Sequence, residues 1–221
     1  MILSFSGLDG CGKSSIIEAI TERVNNKHSQ INVKCIWTRV GYTPFINFLK
    51  DCLRKSKLKS VPSPGRSRQR TNTLNKKPVR FLWISISLLE LIYIFSIKLR
   101  FRSNKDLILL DRQIDDSIID LSILFGEDIQ RSWYVKVLLY VLKVTSVNYY
   151  KIGIEIDLPT SDYRCSIKYE PFPDLPEEKI IRHKYYEKAL SSNAFSLILN
   201  GIDPIENSLE KVMDGALRDF N

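Results

Sequence analysis

A chain of 221 residues, 44% of them hydrophobic, can bury the core of one medium-sized domain and is too short for two large ones. Cys11, Cys35, Cys52 and Cys165 stand far apart with no C-x-x-C pair and only two histidines in the chain. That excludes a zinc ribbon and a disulfide framework, and predicts a reducing, cytoplasmic compartment.

Residues 2–5 read as a short buried strand, which leaves no room before it for a secretory leader. Gly7-Leu8-Asp9-Gly10-Cys11-Gly12-Lys13-Ser14-Ser15 then satisfies G-x-x-x-x-G-K-[ST], the phosphate-binding loop. Apolar residues at 16, 17, 20 and 24 predict a helix directly after it. Strand, glycine loop and helix is the order the chemistry needs. Glycines let consecutive N–H groups turn inward on an anion, and the helix N-terminus adds donors and a partial positive charge. In such a loop Lys13 reaches the β- and γ-phosphates and Ser14 ligates Mg²⁺, so ATP and Mg²⁺ are the expected ligands.

Residues 33–37 form the next predicted strand and 45–53 a short amphipathic helix. A basic loop at 54–80 follows. The net charge of +8 belongs to this part of the chain: residues 52–89 hold ten Lys or Arg and no acid, while the remainder carries 23 basic against 25 acidic residues. Nucleic acid is the first partner such a run brings to mind. However, 57–78 is also rich in Ser, Pro, Asn and Thr, the composition of a solvated loop, which argues against that partner. Its charges would then be available to an anionic substrate or a membrane surface.

Residues 79–99 are the most apolar stretch. Between 81 and 97 the sole ionisable residue is Glu90. A membrane span needs about 20 apolar residues, and this run of 17 lies between two strands of one sheet. It predicts a helix buried on most sides, at a dimer interface, with loose membrane contact as the lesser reading.

Residues 107–110 are a buried strand ending in Asp111, followed by helices at 114–125 and 133–147. Another strand, 151–156, ends in Asp157. A loop rich in Pro and charge covers 158–176, then come a helix at 177–190, a strand at 195–199 and a helix at 204–217. The alternation predicts an α/β P-loop NTPase fold: a parallel five-stranded sheet with helices on both faces and a mobile lid at about 159–178, all in one domain, 1–221. Ligands of such sheets bind at the carboxyl ends of the strands, where the glycine loop, Asp111 and Asp157 all fall.

The glycine loop, Thr38-Arg39 after the second strand, Leu110-Asp111-Arg112 at the third and Arg164 after the fourth together resemble the thymidylate kinase family along nearly the whole chain. The resemblance implies a homodimeric enzyme moving the γ-phosphoryl group of ATP onto a nucleoside monophosphate, dTMP first. It implies that Asp9 touches the acceptor's sugar hydroxyl, that Arg39 and Arg112 hold the acceptor phosphate, and that Asp111 supports Mg²⁺. Tyr42, in the turn Arg39-Val40-Gly41-Tyr42-Thr43-Pro44, is read as substrate-binding with them. The P-loop carries no arginine, so the lid must supply the charge, from Arg164, Lys168 or Arg182. Physics favours the same pairing, since phosphoryl transfer asks for positioning and charge neutralisation, and an arginine fork suits phosphate.

Three departures fall on the acceptor side. The family's Arg-Glu-Pro-Gly-Gly-Thr is replaced by residues 39–44 above. The helix before the third strand offers only Ser85, Ser87 and Glu90 as polar groups, and the Tyr of Asp-Arg-Tyr is Gln113. The ATP half thus matches better than the acceptor half. A kinase of the same fold for a different small metabolite is the second reading, and a P-loop NTPase switch the third.

Overall fold

The computed structural model describes residues 1–28, 30–39, 76–167 and 176–218. The strands are β1 (Ile2–Gly7), β2 (Asn32–Trp37), β3 (Asp106–Asp111), β4 (Tyr150–Glu155) and β5 (Leu197–Asn200). The helices are α1 (Lys13–Lys27), α2 (Lys77–Ile92), α3 (Ile114–Phe125), α4 (Trp133–Thr145), α5 (Leu158–Ile167), α6 (Pro176–Leu190) and α7 (Ile205–Ala216). All strand pairs are parallel, in the order β2-β3-β1-β4-β5.

The apolar runs of β1 and β3 are continuous because both sheet faces are covered. Leu3 and Phe5 of β1 share one face with Leu107 and Leu109 of β3, under Ile16, Ile20 and Val24 of α1 and Val212 of α7. Ile2, Ile108 and Leu110 point the other way, into Ile84, Leu88 and Leu91 of α2 and Val135 and Leu142 of α4. A side-chain period of two thus splits one sheet between two cores.

Two expectations need correction. The segment 158–176 is not a loop up to residue 167, because α5 occupies its first part. Asp157 caps that helix: the Thr160 N–H donates to Oδ1 at 2.8 Å and the Thr160 hydroxyl to Oδ2 at 2.8 Å. Asp before Leu-Pro-Thr is an N-cap signal, and the run of Pro and charge obscured it. The basic segment ends sooner than residue 80, since α2 starts at Lys77 with Pro78 in its first turn. Residues 54–75, the expected helix at 45–53 and the lid residues 168–175 lie outside the described residues.

The apolar helix is long. α2 continues through a π-helical turn, Tyr93–Ile97, and a 3-10 turn, Lys98–Phe101. Its length and apolarity would allow a membrane crossing, yet half of its most apolar window is buried in the protein. Phe95 and Leu99 also pack in the second core, so this helix is part of the fold.

Candidate active site

A cleft of about 820 Å³ opens at the carboxyl ends of the strands, lined by the P-loop, Arg39, Asp111, Arg112, Arg164 and the residues after β5. Three P-loop glycines have positive φ, and each serves a different need. A Cβ on Gly7 would sit 2.5 Å from the Ile154 carbonyl oxygen, so β1 and β4 approach too closely for any side chain. Gly10 (φ +79°) lies under α5, where a Cβ would meet the Ser161 oxygen at 3.1 Å. Gly12 (φ +102°) has open space where a Cβ would be, and it begins α1 without a side-chain cap. An uncapped first turn leaves its N–H groups to a ligand, the arrangement that binds phosphate.

Lys13 is buried against its own loop. Its ammonium donates to the carbonyl oxygens of Gly7 and Leu8, both at 2.8 Å, and lies 3.5 Å from the Cys11 sulfur. Burial pushes the Cys11 thiol up, which keeps it neutral. Ser14 and Ser15 line the cleft, and Leu8 and Cys11 pack in the first core.

Asp111 and Arg112 end β3. Asp111 Oδ1 is buried with no hydrogen-bond partner among the described residues. A lone buried carboxylate oxygen beside a phosphate loop is a donor suited to a hard cation, and the Ser14 hydroxyl on the same cleft is a second. Arg112 has φ 86°, rare for a side chain with a Cβ. Three bonds hold it there. Its N–H donates to Phe5 O at 2.9 Å, and its carbonyl accepts from the Thr38 hydroxyl at 2.7 Å. Its guanidinium pairs with Asp9 at 2.6 Å.

Asp9 is therefore where the sequence places it, but facing Arg112. Burial would raise its carboxyl pKa; the Arg112 guanidinium, helped by Lys13, Arg39 and Arg182, outweighs that and holds it well below the usual range. A second carboxylate, Asp120 of α3, gathers the arginines. It lies 3.7 Å from Arg39 Nε and 3.9 Å from Arg112 Nη1, and it is bonded by Arg182 Nη1. Burial opposes its charge, and Arg182, Arg112 and Arg39 more than offset that, so its pKa also falls.

The expected lid residues separate. Arg164 lines the cleft and donates to the carbonyls of Gly201 (2.8 Å) and Gly10 (3.3 Å). Arg182 does not line the cleft: it is buried on α6 and bonded to Asp120. Lys168 and Tyr42 lie outside the described residues. Of the three polar residues that the helix before β3 offers, Ser87 and Glu90 are buried within α2, and neither they nor Ser85 line the cleft.

Sequence reasoning missed Asp120 and the turn after β5. Asn200, Gly201 and Asp203 line the cleft beside the P-loop, and a Cβ on Gly201 would come 2.8 Å from the Cys11 carbonyl. A glycine at the end of a parallel strand was the available signal. Asp120 had none, since one acid on a helix does not reveal which arginines reach it.

No protein-family model matches the chain, nor does any curated protein. Among solved structures, a deoxyadenosine kinase from M. mycoides with bound dATP superposes with a TM-score of 0.55, over 97% of this chain and 98% of that one, at 13% identity. With the parallel sheet order and the phosphate loop, this likeness shows that the chain has the fold of a P-loop nucleoside kinase.

Proposed function

We propose that the protein is an ATP- and Mg²⁺-dependent kinase transferring the γ-phosphoryl group to a nucleoside monophosphate, with dTMP the first acceptor to test. The observation that carries this is the meeting, at the ends of β1 and β3, of the uncapped P-loop helix, the unpaired Asp111 oxygen and the Asp9–Arg112 pair. Lys13 and the first-turn N–H groups of α1 bind the β- and γ-phosphates. Ser14 and Asp111 hold Mg²⁺, which when bound neutralises charge on the phosphate oxygens. Arg112 faces the group in transfer, and Arg164, with Lys168, supplies lid charge and excludes water. Asp9, Arg39 and Tyr42 position the acceptor.

The residues do no covalent chemistry here; they position and neutralise, which is what this transfer requires. Free thiols at Cys11, Cys35 and Cys165 suit a reducing, cytoplasmic setting. One observation favours a second acceptor. Arg112 is already paired with a carboxylate, and the solved neighbour is named for a nucleoside. A nucleoside hydroxyl bound by Asp9 is therefore the alternative to a monophosphate.

The test is ADP release from ATP and Mg²⁺ with dTMP, dUMP, other monophosphates, free nucleosides and unrelated small metabolites. Release dependent on dTMP supports the first reading. Release with a nucleoside alone supports the second, and release without any acceptor rejects both. Arg112→Ala should reduce transfer by about 10²-fold or more while ATP affinity changes little. A pure loss of ATP affinity would remove Arg112 from the acceptor side.

A further inference from the structure

We propose that the outer face of the α2–α4 layer docks on an anionic lipid surface. The two helices run side by side in the same direction: the Phe81 and Tyr134 rings meet at a tilt near their starts with centroids 4.7 Å apart, and the Ser96 and Thr145 hydroxyls meet at 2.6 Å near their ends. Both bury their inner sides in the same core, so their exposed sides form one outward surface.

That surface is apolar by design of the spacing. Leu82, Leu89, Tyr93 and Ile97 are exposed along α2 and its π turn, with Phe101 at 84% exposure beyond them. Trp133 (77%), Val137, Tyr140 (68%) and Val144 repeat the pattern on α4. Positions three, four and seven apart share one side of a helix. Contiguous apolar patches of this kind mark a binding surface.

Charge selects the partner. Residues 76–105 and 131–145 hold ten Lys or Arg and one acid, Glu90, and Glu90 is buried. The exposed rim, including Lys98, Arg100, Lys136 and Lys143, is basic with no exposed carboxylate on either helix. A second copy seated here by a two-fold axis would set that rim against itself, and like charges across an interface are costly. An anionic bilayer supplies the missing sign, receives the apolar stripes, and suits Trp and Tyr at headgroup depth. Among the described residues none of either helix lines the cleft, so docking leaves its lining free.

The experiment is co-sedimentation of the full chain with vesicles of phosphatidylcholine alone or mixed with phosphatidylglycerol, with sedimentation velocity run in parallel. Wild type should bind the mixed vesicles only and release in high salt. Lys136→Gln with Lys143→Gln should weaken binding by roughly tenfold. Trp133→Ser with Tyr140→Ser should abolish it while the melting temperature holds, both positions being solvent-exposed. Absence of binding overturns the proposal. So does binding unchanged in the Trp133/Tyr140 variant, since the basic residues 54–75 would then suffice. A dimer that the same variant dissociates, without vesicle binding, overturns it too and assigns the face to a second copy.

Discussion

At Arg112 the backbone takes a conformation that costs about 1–3 kcal/mol in isolation, and neighbouring bonds hold it there. The reward is a guanidinium fixed over Asp9 at the end of the central strands. Lys13 is the opposite case: an ordinary backbone with a side chain held by two carbonyls. Lys13→Ala should cut ADP release by about 10²–10³-fold, with the far-UV circular dichroism spectrum unchanged; retained activity would reject the P-loop assignment. The glycines give a second contrast. Gly7→Ala drives a Cβ to 2.5 Å from a backbone oxygen, whereas Gly153→Ala meets side chains alone, Leu190 Cδ2 at 2.6 Å and the Phe195 ring at 3.0 Å. Denaturant titration should show Gly7→Ala losing about 1–3 kcal/mol and Gly153→Ala losing less; the reverse order would contradict the geometry. The P-loop was legible because its residues are consecutive. Arg182 was misread because nothing in its neighbours shows that Asp120, on another helix, takes it.

Helices α3 and α6 are joined by two polar rungs one turn apart, Asp116 with Tyr186 and Asp120 with Arg182. Such a pair of rungs fixes both the rotation and the height of α6 on α3, and through Asp120 ties both to Arg39 and Arg112. The pH dependence follows from the lowered pKa of Asp120. The folded state binds fewer protons than the unfolded one, so this stability is complete above the ordinary carboxylate value of about 4 and erodes as pH falls below it. Asp120→Asn should flatten the loss of stability between neutral and acid solution. Equal slopes for variant and wild type would mean that the carboxylate is not held by the arginines. Asp120→Ala, which leaves the arginines uncompensated, should cost about 3–5 kcal/mol. Periodicity made α3 and α6 readable to within a residue, and placed the start of α1. It failed at α5, a polar helix whose inner side is a glycine loop and not an apolar core.

The parallel sheet was legible, and so was the edge at which the cleft opens, since alternating elements admit few arrangements. The strand order was not, because it depends on pairings more than 100 residues apart. If the cleft takes MgATP, ligand at about a hundred times Kd should add about 2.7 kcal/mol, a rise in Tm of roughly 5–10 °C for a chain of this size. EDTA should remove most of it; an unmoved Tm would mean the cleft does not bind nucleotide. The position of β1 also governs how the molecule comes off the ribosome. Of the five described strands, β1 comes first in chain order yet sits in the middle of the sheet, and its partners β3 and β4 end at Asp111 and Glu155. At about 5–20 residues per second, an apolar strand bearing the phosphate loop stays unpaired on both edges for roughly 5–20 seconds, and on one edge for up to about half a minute. Slowing elongation would lengthen that exposure and favour aggregation, and a chaperone able to cover one short apolar segment would shorten its consequences.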